Sequence, residues 1–300
     1  MGPIKKKKRL ILALVANQLL SSGTHLIAKG TIMVLGPLSV ALMRFIGASL
    51  TLLAFQGIRP GPQKIAREDI PRFVFLGFLV VPVNQGLFMF GLKNSTPSHA
   101  SLLYALTPVV VLLLARGLLN EGGFRDKLIG VAAAFAGVTV ILLDRGLAQQ
   151  VAVLRGDAMI LVAVFAWALY TVLSKPLLEK YDPMTVTTWC IVAGTAFCLP
   201  ALFIPGAIPP LRTITAPVWG GLLYLAIGTS VVAYPLWLYA LKRMEASKVA
   251  ITTNTQPILT TLLSWLFFHE RFSSGFFVGA GLILAGVSWV EVRKAKWSRA

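Results

Sequence analysis

A row of polar residues interrupts the first apolar stretch of the chain. Asn17, Ser21 and His25 recur at every fourth position, and Gln18 and Ser22 flank them. Residues at this spacing share one face of an α-helix. Their amide, hydroxyl and imidazole groups could bind the polar end of a small molecule. Interhelical hydrogen bonds, worth about 0.6–2 kcal/mol each, are the ordinary explanation for such groups. Five on one stripe exceed what packing needs, so we favour a cavity wall.

A second polar run, residues 252–256, comes directly before Pro257. Proline cannot donate a backbone hydrogen bond and its ring clashes with the carbonyl four residues earlier, so we expect the Thr253 carbonyl to be free. Pro108 is expected to free the carbonyl of Tyr104 in the same way. Interrupted helices at corresponding positions point to the binding site of a transporter. The predicted site residues here are Tyr104, Thr253 and Gln256.

Aromatic side chains are predicted to supply the remaining wall. In three further apolar stretches they share a helical face with hydroxyl or amide groups. This mixture suits an amphipathic ligand, because rings contact its apolar part and polar groups contact its polar end. An interfacial aromatic belt is the alternative, and it fits Trp219 and Trp289 better. The residues assigned to the wall are Asn84, Gln85, Trp167, Tyr170, Tyr234 and Trp237.

Acidic residues occur only at or beyond the ends of the apolar stretches. Without a carboxylate in the middle of a span, a sodium site or an acidic proton relay is disfavoured. His25 is the one group near the middle of a span that titrates near neutral pH. Arg44 also lies within a span. We expect it to snorkel or to cap carbonyl groups, with binding of a substrate carboxylate as the alternative. Glu121 and Glu270, each at a helix end, are assigned to structure.

The sequence carries no pattern typical of catalysis or metal binding. It has no glycine-rich phosphate loop, nucleophile elbow or metal-ligand cluster. Cys190 and Cys198 lie within one apolar run, without metal-ligand spacing. We therefore predict a protein that is not an enzyme, with no catalytic residues, no metal and no cofactor.

Apolar helices are the elements that must position these residues. Of the 300 residues, 56% are hydrophobic and only 13% are charged, whereas a soluble domain carries roughly 25% charged residues. This composition is typical of a chain solvated by lipid. Crossing a hydrocarbon core of about 30 Å takes roughly 20 apolar residues. Such spans are predicted at 10–28, 37–57, 71–92, 98–119, 127–144, 156–175, 183–204, 216–241, 247–268 and 275–292.

Basic residues are unevenly distributed between the two sides of these spans. With a cytoplasmic N-terminus, 21 of the 28 Lys and Arg residues fall in cytoplasmic segments and 6 on the opposite side, Arg44 being the remaining one. Basic loops stay in the cytoplasm. We therefore predict a multi-pass protein of the cell membrane, embedded in the lipid bilayer, with both termini cytoplasmic. The net charge of +17 then reflects orientation, and no nucleic-acid partner is expected.

The two halves of the chain repeat one another. Pro108 is followed by a glutamate after 13 residues, a glycine after 9 more and a Gly-Val pair after 7 more, and the same features follow Pro257 at the same spacings. The offset is 149 residues here and 146 nearer the start, where Lys29 aligns with Lys175. Each half holds five spans. Because five is odd, the halves enter the bilayer from opposite faces. We predict an all-α integral membrane protein of ten transmembrane helices in two inverted repeats, 1–147 and 148–300.

Two five-helix halves, each with a proline, a glutamate at a helix end and a Gly-x6-Gly-Val helix, resemble the EamA-type branch of the drug/metabolite transporter superfamily. Arg44-Phe45 in the second span also matches a recurring feature of that family. The resemblance covers essentially the whole chain. It implies ten spans, a central cavity lined by both halves and a small-molecule substrate, and among relatives it suggests exporters of amino acids, including aromatic ones. The second half departs from the first by carrying Cys190 where the first has Arg44.

The repeat and the polar residues together predict an inner-membrane transporter that exports small amphipathic metabolites by alternating access. A transporter of phosphorylated or nucleotide-linked solutes or drugs is one alternative. For charged phosphates it would need several basic residues in the cavity, and only Lys29, Arg44 and Lys175 are near. A non-transporting membrane receptor or scaffold is the other. The oligomeric state is left open.

Overall fold

The computed structural model describes residues 3–59, 63–119, 128–144 and 151–297. All regular secondary structure in these residues is helical. Consecutive helical segments join into ten helices, labelled α1 to α10 in chain order. Their bounds are Pro3–Leu35, Pro37–Ile58, Arg67–Asn94, Pro97–Leu119, Leu128–Asp144, Val151–Lys180, Pro183–Phe203, Ala216–Leu241, 246–268 and Ser274–Trp297.

Seven of these helices, α1 to α4 and α6 to α8, are long and apolar enough to cross a membrane. Shorter apolar helices lie within α5, at Ile129–Val140, and within α10, at Ser274–Gly286. Many large apolar side chains of the described residues face outward, as lipid solvation requires. The prediction of an all-α, multi-pass membrane protein is confirmed at this level. The ten crossings and the inverted repeats stay predictions.

Several helices extend beyond the predicted spans. The first begins at residue 3 and ends at Leu35, where hydropathy indicated only 10–28. The sixth covers Val151–Lys180 instead of 156–175. Hydropathy detects the apolar middle of a helix, whereas backbone hydrogen bonding continues into polar flanks. The predicted boundaries were therefore too narrow.

Four of the ten helices are irregular near their middle. The fourth has a turn at residues 105–106, and the ninth has a 3₁₀ turn at Thr252–Asn254. Both interruptions lie close to the prolines that predicted them. The third and eighth contain π-helical segments, Leu79–Gly86 and Tyr224–Ala233, which the sequence analysis did not anticipate. A π segment has a wider turn and redirects the side chains that follow it, and such segments are frequent at functional sites.

One detail of the proline prediction was wrong. The carbonyl of Tyr104 is not free, because the hydroxyl Oγ1 of Thr107 donates to it at 2.6 Å. The hydroxyl of a threonine can reach the carbonyl three residues before it when no backbone N–H group pairs with that carbonyl. The interruption is therefore satisfied within the helix itself.

Glycines allow the backbones of α5 and α10 to touch. A Cβ atom added at Gly137 would lie 2.6 Å from the carbonyl oxygen of Gly279. One added at Gly286 would lie 2.5 Å from the carbonyl oxygen of Gly130. Real Cβ atoms do not approach backbone oxygens so closely, so any larger residue at Gly137 or Gly286 must push the two helices apart.

An ion pair joins the end of α2 to the start of α7. The Oδ1 atom of Asp182 accepts from Nη1 of Arg59 at 2.9 Å and from the backbone N–H groups of Met184 and Thr185 at 3.0 and 3.1 Å, as a helix N-cap. Burial opposes ionisation of this carboxyl. The hydrogen bonds from Arg59 and Thr185 outweigh that effect and lower the pKa of Asp182 below its ordinary value.

Candidate substrate-binding cavity

A cavity lies between the helices and is lined by residues of α1, α2, α3, α4, α6, α8 and α9. Both halves of the chain therefore contribute to it. The space within it, counting its open mouth, is about 590 Å³. Ten of the twelve predicted site residues line it: Asn17, Ser21, His25, Gln85, Tyr104, Trp167, Tyr234, Trp237, Thr253 and Gln256. The other lining residues, outside the predicted set of twelve, are Thr24, Arg44, Phe88, Thr229 and Ala233.

The other two predicted residues stand behind the wall. Asn84 is fully buried and donates from Nδ2 to Oη of Tyr104 at 2.8 Å and to the carbonyl of Ala163 at 2.7 Å. Tyr170 stacks on Trp167 with ring centroids 5.5 Å apart. Neither residue is among those that line the cavity. Helical spacing identifies the face on which a residue lies, but not whether a second residue stands in front of it.

Arg44 is the main unexpected feature of the cavity. Its side chain is 1% exposed. Nε donates to Oγ of Ser230 at 3.0 Å, Nη1 to Oε1 of Gln85 at 2.7 Å, and Nη2 to Oγ1 of Thr229 at 2.9 Å. The expectation that it would snorkel or cap carbonyl groups was wrong. The reason is that two π segments bring neutral side-chain oxygens to the guanidinium from α3 and α8, so it is held in the interior.

The charge of Arg44 has no counter-charge in the part of the chain that the structure describes. Its hydrogen-bond acceptors there are neutral, and no Asp or Glu is among the described residues that line the cavity. A buried cation is normally paired, because leaving it alone costs several kcal/mol. The three bonds use three of its five N–H groups. The arrangement is suited to binding a carboxylate, which accepts charge-assisted hydrogen bonds from a guanidinium.

The polar stripe of α1 has two roles. Gln18 links helices: it accepts at Oε1 from Gln256 at 2.8 Å and donates from Nε2 to Oγ1 of Thr252, also at 2.8 Å. Asn17 lines the cavity and donates to the carbonyl of Ala233 at 2.8 Å. Asn17 therefore combines the two explanations considered for the stripe, interhelical bonding and a cavity wall, whereas Gln18 shows interhelical bonding alone.

His25 lies at the cavity wall between two aromatic rings. Its ring centroid is 5.4 Å from that of Phe88 and 5.6 Å from that of Tyr104, in edge-to-face contacts. The buried Nδ1 atom has no hydrogen-bond partner in the structure. Buried polar atoms are nearly always paired, so this atom is available to a ligand or a water molecule in the cavity.

Aromatic rings form one continuous part of the wall. Trp167 meets Tyr234 edge-to-face at 5.3 Å and lies tilted against Trp237 at 5.5 Å. Nε1 of Trp237 donates to Oγ1 of Thr171 at 3.3 Å, and Tyr170 supports Trp167 from behind. Rings held on several sides in this way have little freedom to move. The cavity thus has a cationic part around Arg44 and a rigid apolar part.

Other charged residues considered from the sequence are used to join helix ends. Nζ of Lys29 donates to the carbonyls at residues 92, 93 and 95, and Nζ of Lys175 donates to that of Met244 at 2.9 Å. Glu270 accepts from Oγ of Ser98 at 2.8 Å, which agrees with its assignment to structure. Glu121 lies outside the described residues. Among the basic residues considered for phosphate binding, Arg44 is the one that lines the cavity.

A helical membrane bundle around a central polar and aromatic cavity has the architecture of a small-molecule transporter. The sequence profile of the EamA-like transporter family matches residues 8–143 and again residues 154–291. The chain therefore belongs to the EamA-like transporter family. The double match agrees with the sequence-based assignment of that family.

Relatives of similar length are also described as transporters. An "Uncharacterized transporter" of Archaeoglobus fulgidus is 30% identical over 286 residues, 95% of this chain and 97% of the relative. A "Probable terminal-alkyne amino-acid exporter" of Streptantibioticus cattleyicolor is 27% identical, over 86% and 85% of the two chains. A "Probable amino-acid metabolite efflux pump" of Escherichia coli is 28% identical, over 88% of each. A solved structure 19% identical has a TM-score of 0.68, over 95% of this chain and 96% of that one, and shows a shared fold.

Proposed function

We propose that the protein exports small amphipathic metabolites across the inner membrane, and that amino acids, aromatic ones included, are its substrates. The observation that carries this proposal is the cavity in which Arg44, buried without a carboxylate partner among the described residues, is accompanied by an aromatic wall. The guanidinium binds the substrate carboxylate, and the wall binds an apolar side chain. Two relatives named as an amino-acid exporter and an amino-acid metabolite efflux pump support the class of substrate and the direction of transport.

The proposal includes ten membrane crossings, both termini in the cytoplasm, and inverted repeats at 1–147 and 148–300. Several contacts support the repeats. Ser49 and Thr195 are 146 residues apart, which is the repeat offset, and their hydroxyls hydrogen-bond at 2.8 Å. Two equivalent residues can meet in this way only near a pseudo-two-fold axis. The two glycine contacts between α5 and α10 are also equivalent: at the 149-residue offset Gly137 corresponds to Gly286 and Gly130 to Gly279, so the contact of Gly137 with Gly279 corresponds to that of Gly286 with Gly130.

The lysine contacts at helix ends support the same symmetry. Lys29 and Lys175 correspond at an offset of 146 residues, and the carbonyls that they bind at Ser95 and Met244 correspond at an offset of 149. Each half therefore ties its first helix to the end of its third in the same manner. Two halves with equivalent internal contacts can exchange conformations, which is the basis of alternating access in inverted-repeat transporters.

A phosphorylated or nucleotide-linked substrate is less well supported. Such a ligand carries two or more negative charges, and Arg44 is the only Lys or Arg among the described residues that line the cavity. The second charge would be buried without a partner at a cost of several kcal/mol. A single carboxylate matches the available charge.

The proposal is tested in proteoliposomes that contain the purified protein and a panel of labelled amino acids. We expect flux of amino acids with apolar or aromatic side chains, reduced by about two orders of magnitude in Arg44→Gln. Leu50→Ala is the matched control, because Leu50 lies on the same helix with its side chain 64% exposed, and this variant should transport like the parent. Equal flux in the parent and in empty liposomes for every amino acid would reject the proposal.

A further inference from the structure

We propose that the cavity recognises the carboxylate and the apolar group of its substrate but not an α-ammonium group. Aromatic monocarboxylates without an amino group should therefore bind more tightly than the corresponding amino acids. The inference rests on the proposed function, because it concerns the same cavity. It is carried by the charges and hydrogen bonds of the described cavity-lining residues.

The first argument is the absence of a counter-charge for an ammonium group. No described lining residue is acidic. Two carboxylates at helix ends, outside the cavity lining, accept hydrogen bonds from serines: Asp157 from Oγ of Ser95, and Glu270 from Oγ of Ser98. An amino acid whose carboxylate contacts Arg44 necessarily places its ammonium group a few ångströms from the guanidinium. Like charges at that distance repel, and the repulsion is strong where water is excluded.

The second argument is that several neutral oxygens of the cavity already accept a hydrogen bond. Oδ1 of Asn17 accepts from Gln18 at 3.0 Å, and Oε1 of Gln85 accepts from Arg44 at 2.7 Å. Oη of Tyr104 accepts from Nδ2 of Asn84 at 2.8 Å. Nδ1 of His25 is a buried lining atom without a partner among the described residues. Neutral groups of this kind compensate only part of the dehydration of a full positive charge.

The third argument concerns the aromatic faces, which could bind an ammonium group by a cation–π interaction. One face of Trp167 is covered by Tyr170, which stacks on it with an interplanar angle of 27°. Tyr234 and Trp237 also pack against Trp167. Rings that contact each other in this way offer an apolar surface to another ring and little free face to a cation. The wall therefore selects the apolar part of the substrate.

Competition binding to the purified protein in nanodiscs tests the inference. The reporter is radiolabelled L-phenylalanine. The competitors are unlabelled phenylalanine, 3-phenylpropionate, which lacks the ammonium group, and phenethylamine, which lacks the carboxylate. We expect 3-phenylpropionate to compete at a concentration about tenfold lower than phenylalanine, corresponding to about 1.4 kcal/mol, and phenethylamine not to compete. Phenylalanine competing as well as 3-phenylpropionate, or competition by phenethylamine, would overturn the inference.

Two variants identify the groups responsible. Arg44→Lys, which keeps the charge, should retain the order of the competitors, whereas Arg44→Gln should lose binding of both carboxylates. His25→Leu should weaken phenylalanine and 3-phenylpropionate by the same factor. A selective loss of phenylalanine in His25→Leu would show that the imidazole binds the ammonium group, and the inference would then be wrong. The melting temperature of each variant without ligand shows whether it has folded.

The same melting measurement separates this inference from the proposed function. Each compound is added alone, and the ligand-induced rise in melting temperature is recorded. Stabilisation by 3-phenylpropionate but not by phenylalanine would support the inference and reject phenylalanine as a substrate. Stabilisation by phenylalanine alone would support the proposed function and reject the inference. Stabilisation by neither would reject both.

Discussion

Replacing Arg44 by glutamine should leave the empty protein about as stable as the parent while removing most of its affinity for carboxylates. In the parent, three hydrogen bonds to neutral oxygens, each worth about 1.5–3 kcal/mol, offset the cost of burying an unpaired cation. That cost is itself several kcal/mol. Glutamine removes the cost together with most of the bonds, and it can still donate to one acceptor. The two changes nearly cancel, so we expect the free energy of unfolding to change by no more than about 1 kcal/mol.

The effect on substrate binding should be much larger. Truncating one partner of a buried, hydrogen-bonded charge pair costs about 2–5 kcal/mol. At 1.4 kcal/mol for each factor of ten, this corresponds to a loss of affinity of about thirtyfold to several thousandfold. The assay measures the melting temperature without ligand and the dissociation constant for a carboxylate substrate on the same preparation. If Arg44→Gln lowers the melting temperature by many degrees and weakens binding only slightly, the residue is structural and the reasoning fails.

Four further predictions follow from particular contacts. Trp237→Ala should reduce affinity for aromatic substrates about tenfold or more, because a ring is lost from the wall, and should affect small aliphatic substrates less; equal losses for both in binding assays would contradict this. Gly286→Val should lower the melting temperature by separating α5 and α10, whereas Gly281→Ala, where an added Cβ meets no atom within 4 Å, should not; similar melting of both variants would refute the close contact. Asp182→Asn should lower the melting temperature at neutral pH. The pKa of Asp182 is lowered on folding, so the ionised carboxylate stabilises the protein above the ordinary pKa of about 3.9, and this stabilisation is lost as the pH falls through the pKa of the folded protein. The difference in melting temperature between variant and parent should therefore disappear at that low pH. A difference independent of pH would exclude this ionisation. Finally, a cysteine introduced at Arg271 should react with a membrane-impermeant reagent from outside the cell, and labelling from the cytoplasmic side alone would overturn the proposed orientation.

Much of the cavity could be predicted from local sequence patterns. Asn17, Ser21 and His25 all line it, and their spacing alone placed them on one face. The reason is energetic: a polar group in hydrocarbon is costly, so a polar stripe on an apolar helix must face a cavity or another helix. The proline rule located the interruptions of α4 and α9 by an equally local argument.

Which residues face the cavity and which lie behind them could not be predicted in the same way. Asn84 and Gln85 are adjacent in the sequence and were assigned together, yet Gln85 lines the cavity and Asn84 lies behind it. Both belong to a π-helical segment, in which side-chain directions depart from the 100° steps of a regular helix. Pro82 lies within this segment and removes one backbone donor, a signal that the sequence analysis did not use.

The sequence by itself determined the membrane class, the apolar helices, the internal repeat and the polar faces. The membrane class, the helices and their polar faces depend on the transfer of individual residues into lipid or on periodicity along one helix, and the repeat depends on equal spacings in the two halves. Only the tertiary structure decided that Arg44 is a buried cation of the cavity. Its three partners, Gln85, Thr229 and Ser230, lie 41, 185 and 186 residues away along the chain. Whether a charge is paired depends on distances across the packed bundle, and these are set by how helices from both halves meet.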